Sequence, residues 1–252
     1  VLDSEISQLL AAAKVPTPSP QMPPVKALIV PHAGYIYSGP IAASAYACLD
    51  DSGLLASVRK VVLLGPAHRL AIHGLALPEA EAFDTPLGSV SVDAELAERA
   101  LELPQVQRNA AAHALEHALE VQLPFLQHLL EDFTILPLLV GLAGTEETAA
   151  VLNHVWGGAE TLILISSDLS HYLPYAQARQ RDQSTAARIG ALQALNSHEQ
   201  ACGATAINAL LLCARQRGLQ AQLLDLRNSA DTAGDRSRVV GYAAFAFSEP
   251  RP

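Results

Sequence analysis

ALIVPHAGYIYSGPIAASAYACLD, residues 27–50, sets the plan that much of the chain repeats. Ala27, Leu28, Ile29 and Val30 form an unbroken apolar run up to Pro31, which suits a strand covered on both faces. A step of polar and small residues follows at His32, Ala33 and Gly34. From Pro40 the chain turns to Ala-rich, helix-compatible sequence. Moving outward from this unit, strands are expected at Ala27–Pro31, Val61–Leu64, Phe133–Val140, Thr161–Ser166, Gln220–Leu226 and Val239–Phe247. Helices are expected near 40–50, 93–102, 114–130, 144–156, 174–195 and 200–217. This alternation predicts an α/β fold with a mainly parallel or mixed central sheet flanked by helices.

Two stretches depart from the alternation. Leu2, Ile6, Leu9 and Leu10 have helical spacing, and VPTPSPQMPP at 15–24 is too proline-rich for helix. Residues 1–25 therefore read as an N-terminal helix and Pro-rich arm packing on a single domain, 26–252. Gly74–Pro78 and Ser89–Val92, separated by a stretch containing FDTPLG, read as a hairpin-like excursion at a pocket rim. The opening VLDSEISQLLAAAK lacks an initiator methionine and the basic and small-residue marks of a signal peptide, so further residues are expected upstream.

Composition narrows the function. At 252 residues, half of them hydrophobic, the chain can bury a core without staples. The three cysteines, Cys48, Cys202 and Cys213, are too few and too odd in number for a disulfide framework and suggest a reducing, cytoplasmic setting. A net charge of −9 opposes nucleic acid. No apolar run approaches the roughly 18 to 20 residues of a membrane span. Neither nucleic acid nor membrane is expected as a partner.

The chemistry concentrates just past strand ends, which share one edge of an open α/β sheet. His32 follows ALIVP and His68 follows VVLLGP, each with small neighbours that allow close backbone approach. Either they ligate a metal such as iron, zinc or copper, or each caps a helix or bonds a loop carbonyl. Cys202, in QACGA at the start of an expected helix, is either a dipole-favoured thiolate ligand or an inert core thiol. Cys48 and Cys213 lie in apolar helical patterns and read as core. Asp168 and His171, three apart at the exit of LILISS, read as an acid–base pair or as an N-cap with a surface histidine. HALEHALE at 113–120 places His113 and His117, and Glu116 and Glu120, at helical i, i+4 spacing, and a solvated charged face explains it best. Phosphate loops, dinucleotide fingerprints, serine-hydrolase elbows and C-x-x-C pairs are absent from the sequence.

Six blocks in order carry a resemblance: PHAGYIYSG (31–39), LLGPAHR (63–69), EHALEVQLPFLQ (116–127), SSDLSHY (166–172), ACG (201–203) and SADTAGDRSRVVGYAAFAF (229–247). Together they resemble the Memo family. That resemblance implies a fold similar to the LigB-type class III extradiol dioxygenases, which are non-haem iron enzymes. It also implies a metal set of His32, His68 and Cys202. A cysteine in place of the dioxygenase carboxylate shifts the metal preference toward softer ions: Fe(II) or copper is expected, with zinc as the alternative. His171 resembles the dioxygenase base, with Asp168 and His117 lining the same cavity. The implied substrate is a small molecule or a peptide-borne group, and prokaryotic relatives bring a radical-SAM-cluster protein as an expected partner. Three readings follow: a dioxygenase-like oxidoreductase, a zinc hydrolase on the same residues, or a binding module that retains the pocket.

Overall fold

The computed structural model describes residues 1–13, 24–51 and 54–249, so most of the expected Pro-rich arm lies outside the described residues. The chain runs α1 (Leu2–Ala11), β1 (Val25–Val30), α2 (Tyr35–Asp51), β2 (Lys60–Pro66), β3 (Leu75–Leu77), β4 (Ala82–Thr85), β5 (Gly88–Ser91), α3 (Ala94–Leu101), β6 (Val106–Arg108) and α4 (Ala110–His113). A 3-10 turn at Glu120–Gln122 leads into α5 (Leu123–Leu129), β7 (Thr134–Val140), α6 (Thr145–His154), β8 (Thr161–Ser166), β9 (His171–Leu173), α7 (Tyr175–Gly190) and α8 (Ala204–Arg217). β10 (Gln220–Asn228), a second 3-10 turn at Ser229–Asp231 and β11 (Val239–Ser248) complete it.

The main sheet has the order β10-β11-β1-β8-β2-β7-β3-β6, with β9 added to β11. Its centre, β1-β8-β2-β7, is parallel throughout, whereas β11 pairs antiparallel with β1 and β3 antiparallel with β7. The register puts Val30 beside Ser166 and Pro66 beside Val140, so the four central strands end on one edge. The sheet is thus mixed and mainly parallel at its core, as its apolar runs foretell.

Strand periodicity assigns the core. Ala27, Ile29, Val62, Leu64, Ile163 and Ile165 join the cluster that packs against α3, α6, α7 and α8. Their neighbours Leu28, Val30, Val61, Leu63, Leu162 and Leu164 join the opposite cluster, under α1, α2 and α5. Each fully buried aliphatic contributes about 1.5–3 kcal/mol, so truncating Ile163 to Ala would cost about 2–5 kcal/mol.

Three local expectations are corrected. The span 114–130 is not one helix: α4 ends at His113, an irregular stretch follows, and α5 starts only at Leu123 with Pro124 in its first turn. In the first turn a proline removes no helical hydrogen bond, so Pro124 fits there. His113 and His117 therefore do not share a helix face. The hairpin pairs Ala82–Thr85 with Gly88–Ser91 around the Thr-Pro-Leu-Gly turn, while Leu75–Leu77 enters the main sheet beside β6 and β7. α2 begins at Tyr35, five residues before Pro40, and α8 begins at Ala204, beyond Cys202.

Candidate metal centre

β1 and β2 flank β8 in the sheet, and their exits carry His32 and His68 to the same place. The loop before α8 brings Cys202 to meet them. His32 Nε2 lies 3.4 Å from Cys202 Sγ, and the two imidazole centroids are 5.2 Å apart. One ligand atom from each of His32, His68 and Cys202 falls within 4.8 Å of the other two.

The surroundings decide which nitrogens face inward. Ser166 Oγ donates its single proton to the Ala118 carbonyl at 2.6 Å, and accepts from Gln122 Nε2 at 2.8 Å. Its contact with His32 Nδ1 at 3.0 Å must then be one in which Nδ1–H donates, which leaves the lone pair on Nε2, facing Cys202. His68 Nδ1 lies 3.1 Å from Glu116 Oε1, which likewise frees its Nε2. Burial, with His68 and His117 nearby, lowers the His32 pKa against the pull of Asp168, so its ring is neutral and fit to ligate.

Glu116 was expected on a solvated face and is instead buried. Its carboxylate accepts from the amides of His68 (2.7 Å), His117 (2.9 Å) and Ala118 (3.0 Å) as well as from the His68 ring. Burial alone would raise its pKa, but these hydrogen bonds bring it down to about 2. The same amide contacts explain why 114–119 leaves the helical path: its N–H groups turn in to a carboxylate. The sequence signal for the break was Pro124.

Cys202 also departs from expectation. It stands before α8 rather than in its first turn, and burial together with the Asp168 charge pushes its thiol up to about 12. A bare thiolate is therefore disfavoured, and only a cation placed against sulfur would reverse that. Gly203 makes the close approach of this loop possible, because a Cβ there would fall 2.8 Å from Ser167 Cβ. Cys48 and Cys213 are buried in α2 and α8.

Asp168 is buried and ties the two loops together. Its Oδ1 accepts the His32 amide at 2.7 Å, its carbonyl accepts the Cys202 amide at 3.2 Å, and its Oδ2 lies 4.0 Å from His32 Nε2. His117 lines the open side, with ring centroids 5.8 Å from both His32 and His68 and its side chain 49% exposed. His171 is on β9, opposite Val240, with its ring against Tyr172 at 5.8 Å. Sequence reasoning passed over His198, whose Nδ1 is 3.1 Å from the Cys202 carbonyl. A cavity of about 400 Å³ opens beside His68 and Cys202, between the exits of β2 and β7 and the start of α8.

The donor set fits a soft or borderline transition metal. A zinc–sulfur bond of about 2.3 Å and a zinc–nitrogen bond of about 2.0–2.1 Å at a tetrahedral angle place N and S about 3.5 Å apart. The observed separation is 3.4 Å. Two imidazoles anchored at Nδ1, one by a carboxylate, is also how metal-binding histidines are held.

Comparison with known proteins adds the family. The model of the family described as "Memo-like protein" matches residues 2–246. A "MEMO1 family protein" of Aquifex aeolicus (strain VF5) is 37% identical over 240 residues, covering 88% of this chain and 85% of the relative. Another from Metallosphaera sedula is 34% identical over 235 residues, covering 88% and 82%. Among solved structures, uncharacterized protein JW3007 from Escherichia coli K12 shares the fold with a TM-score of 0.55 at 13% identity, covering 88% of this chain and 99% of its own.

Proposed function

The chain belongs to the Memo-like family, and we propose that it is a metal-dependent oxidoreductase that holds one iron or copper ion on His32, His68 and Cys202 and acts on a small or peptide-borne substrate. The observation that carries this reading is the convergence of His32 Nε2, 3.4 Å from Cys202 Sγ, with a His68 ring whose Nδ1 is tied back to Glu116. Imidazole and thiolate together suit iron and copper, and the bound ion would supply the redox step. The protein's own residues do the rest. Ser166 and Glu116 fix the tautomers, Cys202 would hold the ion as a thiolate, and Asp168 keeps the two ligand-bearing loops in register. His117, with Nδ1 toward Glu116, has Nε2 free to take or return a proton on the open side.

A zinc-dependent hydrolase on the same residues is the second reading, favoured by the fit of the nitrogen–sulfur separation to tetrahedral zinc. One experiment addresses both. Metal content is measured by mass spectrometry on anaerobically purified wild type, Cys202→Ser and His68→Ala, each first checked for folding by circular dichroism. Near-stoichiometric iron or copper in wild type, lost in both variants, supports the redox reading, and zinc in that pattern supports the hydrolase. Equal trace metal in all three proteins would sink both.

A further inference from the structure

A groove between α7 and the segment that follows it takes no part in the triad, since none of His32, His68 and Cys202 lines it. It encloses about 500 Å³, well within the range of small-ligand sites. One wall is α7, where Gln177, Gln180, Arg181 and Ser184 stand at i, i+3, i+4 and i+7 and so share one helix face. The other wall is Asn196, Ser197, Glu199 and Gln200.

That second wall is fixed without a ligand. Past the end of α7, Leu192 takes the left-handed conformation with φ 54°, closed by its own amide to the Ile189 carbonyl at 2.9 Å and by the Gln193 amide to the Arg188 carbonyl at 2.8 Å. A non-glycine residue stays there only where its surroundings hold it. Arg188 Nε donates to the Ala194 carbonyl at 3.0 Å, and the Asn208 side chain brackets Leu195, accepting from its amide at 2.7 Å and donating to its carbonyl at 3.0 Å. Gln200 Oε1 then accepts the Asn196 amide at 2.7 Å. A wall tied down in this way loses little freedom when a ligand arrives.

The lining is polar, of both hydrogen-bonding senses, and largely unspent. Among the described residues, the side chains of Gln177, Gln180, Ser184 and Ser197 find no hydrogen-bond partner within the protein. Arg181 Nη1 lies 3.4 Å from Glu199 Oε2 across the groove, with side chains 40% and 78% exposed, which makes a weak pair of opposite charges. Amide and hydroxyl side chains both donate and accept, and a ligand hydroxyl does the same. An anion only accepts and would meet Glu199, whereas an ammonium group only donates and would meet Arg181. Leu173 is the one apolar side chain among the described lining residues, so an apolar ligand finds little to cover it.

We infer that this groove binds a neutral molecule carrying several hydroxyl groups, of the size of a monosaccharide or a cyclitol, its hydroxyls bridging Gln177 and Gln180 to Ser197. The site is separate from the metal centre and goes beyond the oxidoreductase reading, so either can fail without the other.

The test titrates isotope-labelled protein with myo-inositol, cyclohexanol and D-glucuronate and follows the amide resonances by NMR. Cyclohexanol keeps the ring with a single hydroxyl, and glucuronate keeps several hydroxyls and adds a carboxylate. myo-Inositol should shift the Gln177, Gln180, Ser184 and Ser197 signals saturably, with a dissociation constant below about 10 mM. Cyclohexanol should bind about tenfold more weakly, as befits the loss of several hydrogen bonds. The double variant Gln177→Ala and Gln180→Ala, at exposed helical positions where alanine supports the helix, should weaken myo-inositol about tenfold. Ser184→Trp, also at an exposed position, should block it. Circular dichroism checks that both variants fold. No saturable shift in wild type, equal binding of cyclohexanol, tighter binding of glucuronate, or undiminished myo-inositol affinity in both variants would each overturn the inference.

Discussion

The two ends of the parallel strands both hold half-buried or buried nitrogen, yet only one end gathers a set of metal-ligating atoms. At the amino end of β1, Lys26 Nζ donates to the carbonyls of Gly158 at 2.8 Å and Thr161 at 2.7 Å. The Trp156 ring nearby is covered by the Arg217 guanidinium at 4.1 Å. At the carboxyl end, His32 and His68 spend their Nδ1 protons on Ser166 and Glu116 and turn their Nε2 lone pairs toward a thiol. Burial lowers the pKa of His32 at one end and of Lys26 at the other, to about 8 for Lys26 against the pull of Glu160. Hydrogen bonds close the lysine end and leave the histidine end with acceptors that face one another. The cavity at the lysine end, about 560 Å³, is larger than the one beside the triad, so size alone would point away from the candidate site. What distinguishes a site is leftover donor capacity.

The strongest way to break the contrast is Gly203→Val. The added side chain would collide with Ser167, displace the Cys202 loop and cost about 1–3 kcal/mol of stability. Metal content should fall to trace and the thermal midpoint should drop, both read on one preparation. Next come the anchors: Ser166→Ala and Glu116→Gln should each weaken metal affinity by about 10–100-fold while the ligands stay in place. Competition with a chelator would measure this, and affinity unchanged in both would mean that the Nδ1 contacts do not set the ring orientation.

The lysine end predicts a smaller, pH-dependent effect. The folded-state pKa of Lys26 lies below its unfolded value, so between about 8 and 10.5 the unfolded chain binds the extra proton and stability rises with pH. The urea midpoint of wild type relative to Lys26→Met should therefore climb through that window and level off above it. A flat difference would show that Lys26 keeps its ordinary pKa. The smallest expected effect belongs to His171→Ala, which should leave metal affinity unchanged, because the ring rests against Tyr172. A tenfold loss would move His171 into the centre.

These contrasts also show what a sequence can carry. The exits of ALIVP and VVLLGP announce His32 and His68, because a buried parallel strand reads as a continuous apolar run and the polar step after it is conspicuous. Both core clusters follow from the same runs. HALEHALE misleads because a charged residue every fourth position imitates a solvated helix, whereas Glu116 is held by three amides and a ring that only the folded chain supplies. Pro124 was the one local warning. The environment of Cys202 was likewise hidden. Its spacing from α8 depends on where the helix begins, and the burial that raises its pKa comes from loops more than thirty residues away. His198 was invisible for another reason: its partner, four residues on, is the Cys202 backbone carbonyl, which no side-chain pattern announces.

The ligands are far apart along the chain: Cys202 lies 170 positions from the His32 ring it faces. An ion held by both would act as a clasp that shuts a loop comprising most of the polypeptide, at the point where two strands and a helix meet. Loop-closure entropy rises with length, though slowly, so such a clasp would constrain the unfolded chain somewhat more than a short-range one. Occupancy of the site and stability of the sheet are then linked: a bound ion would stabilise the fold by mass action, and stripping it would remove that contribution.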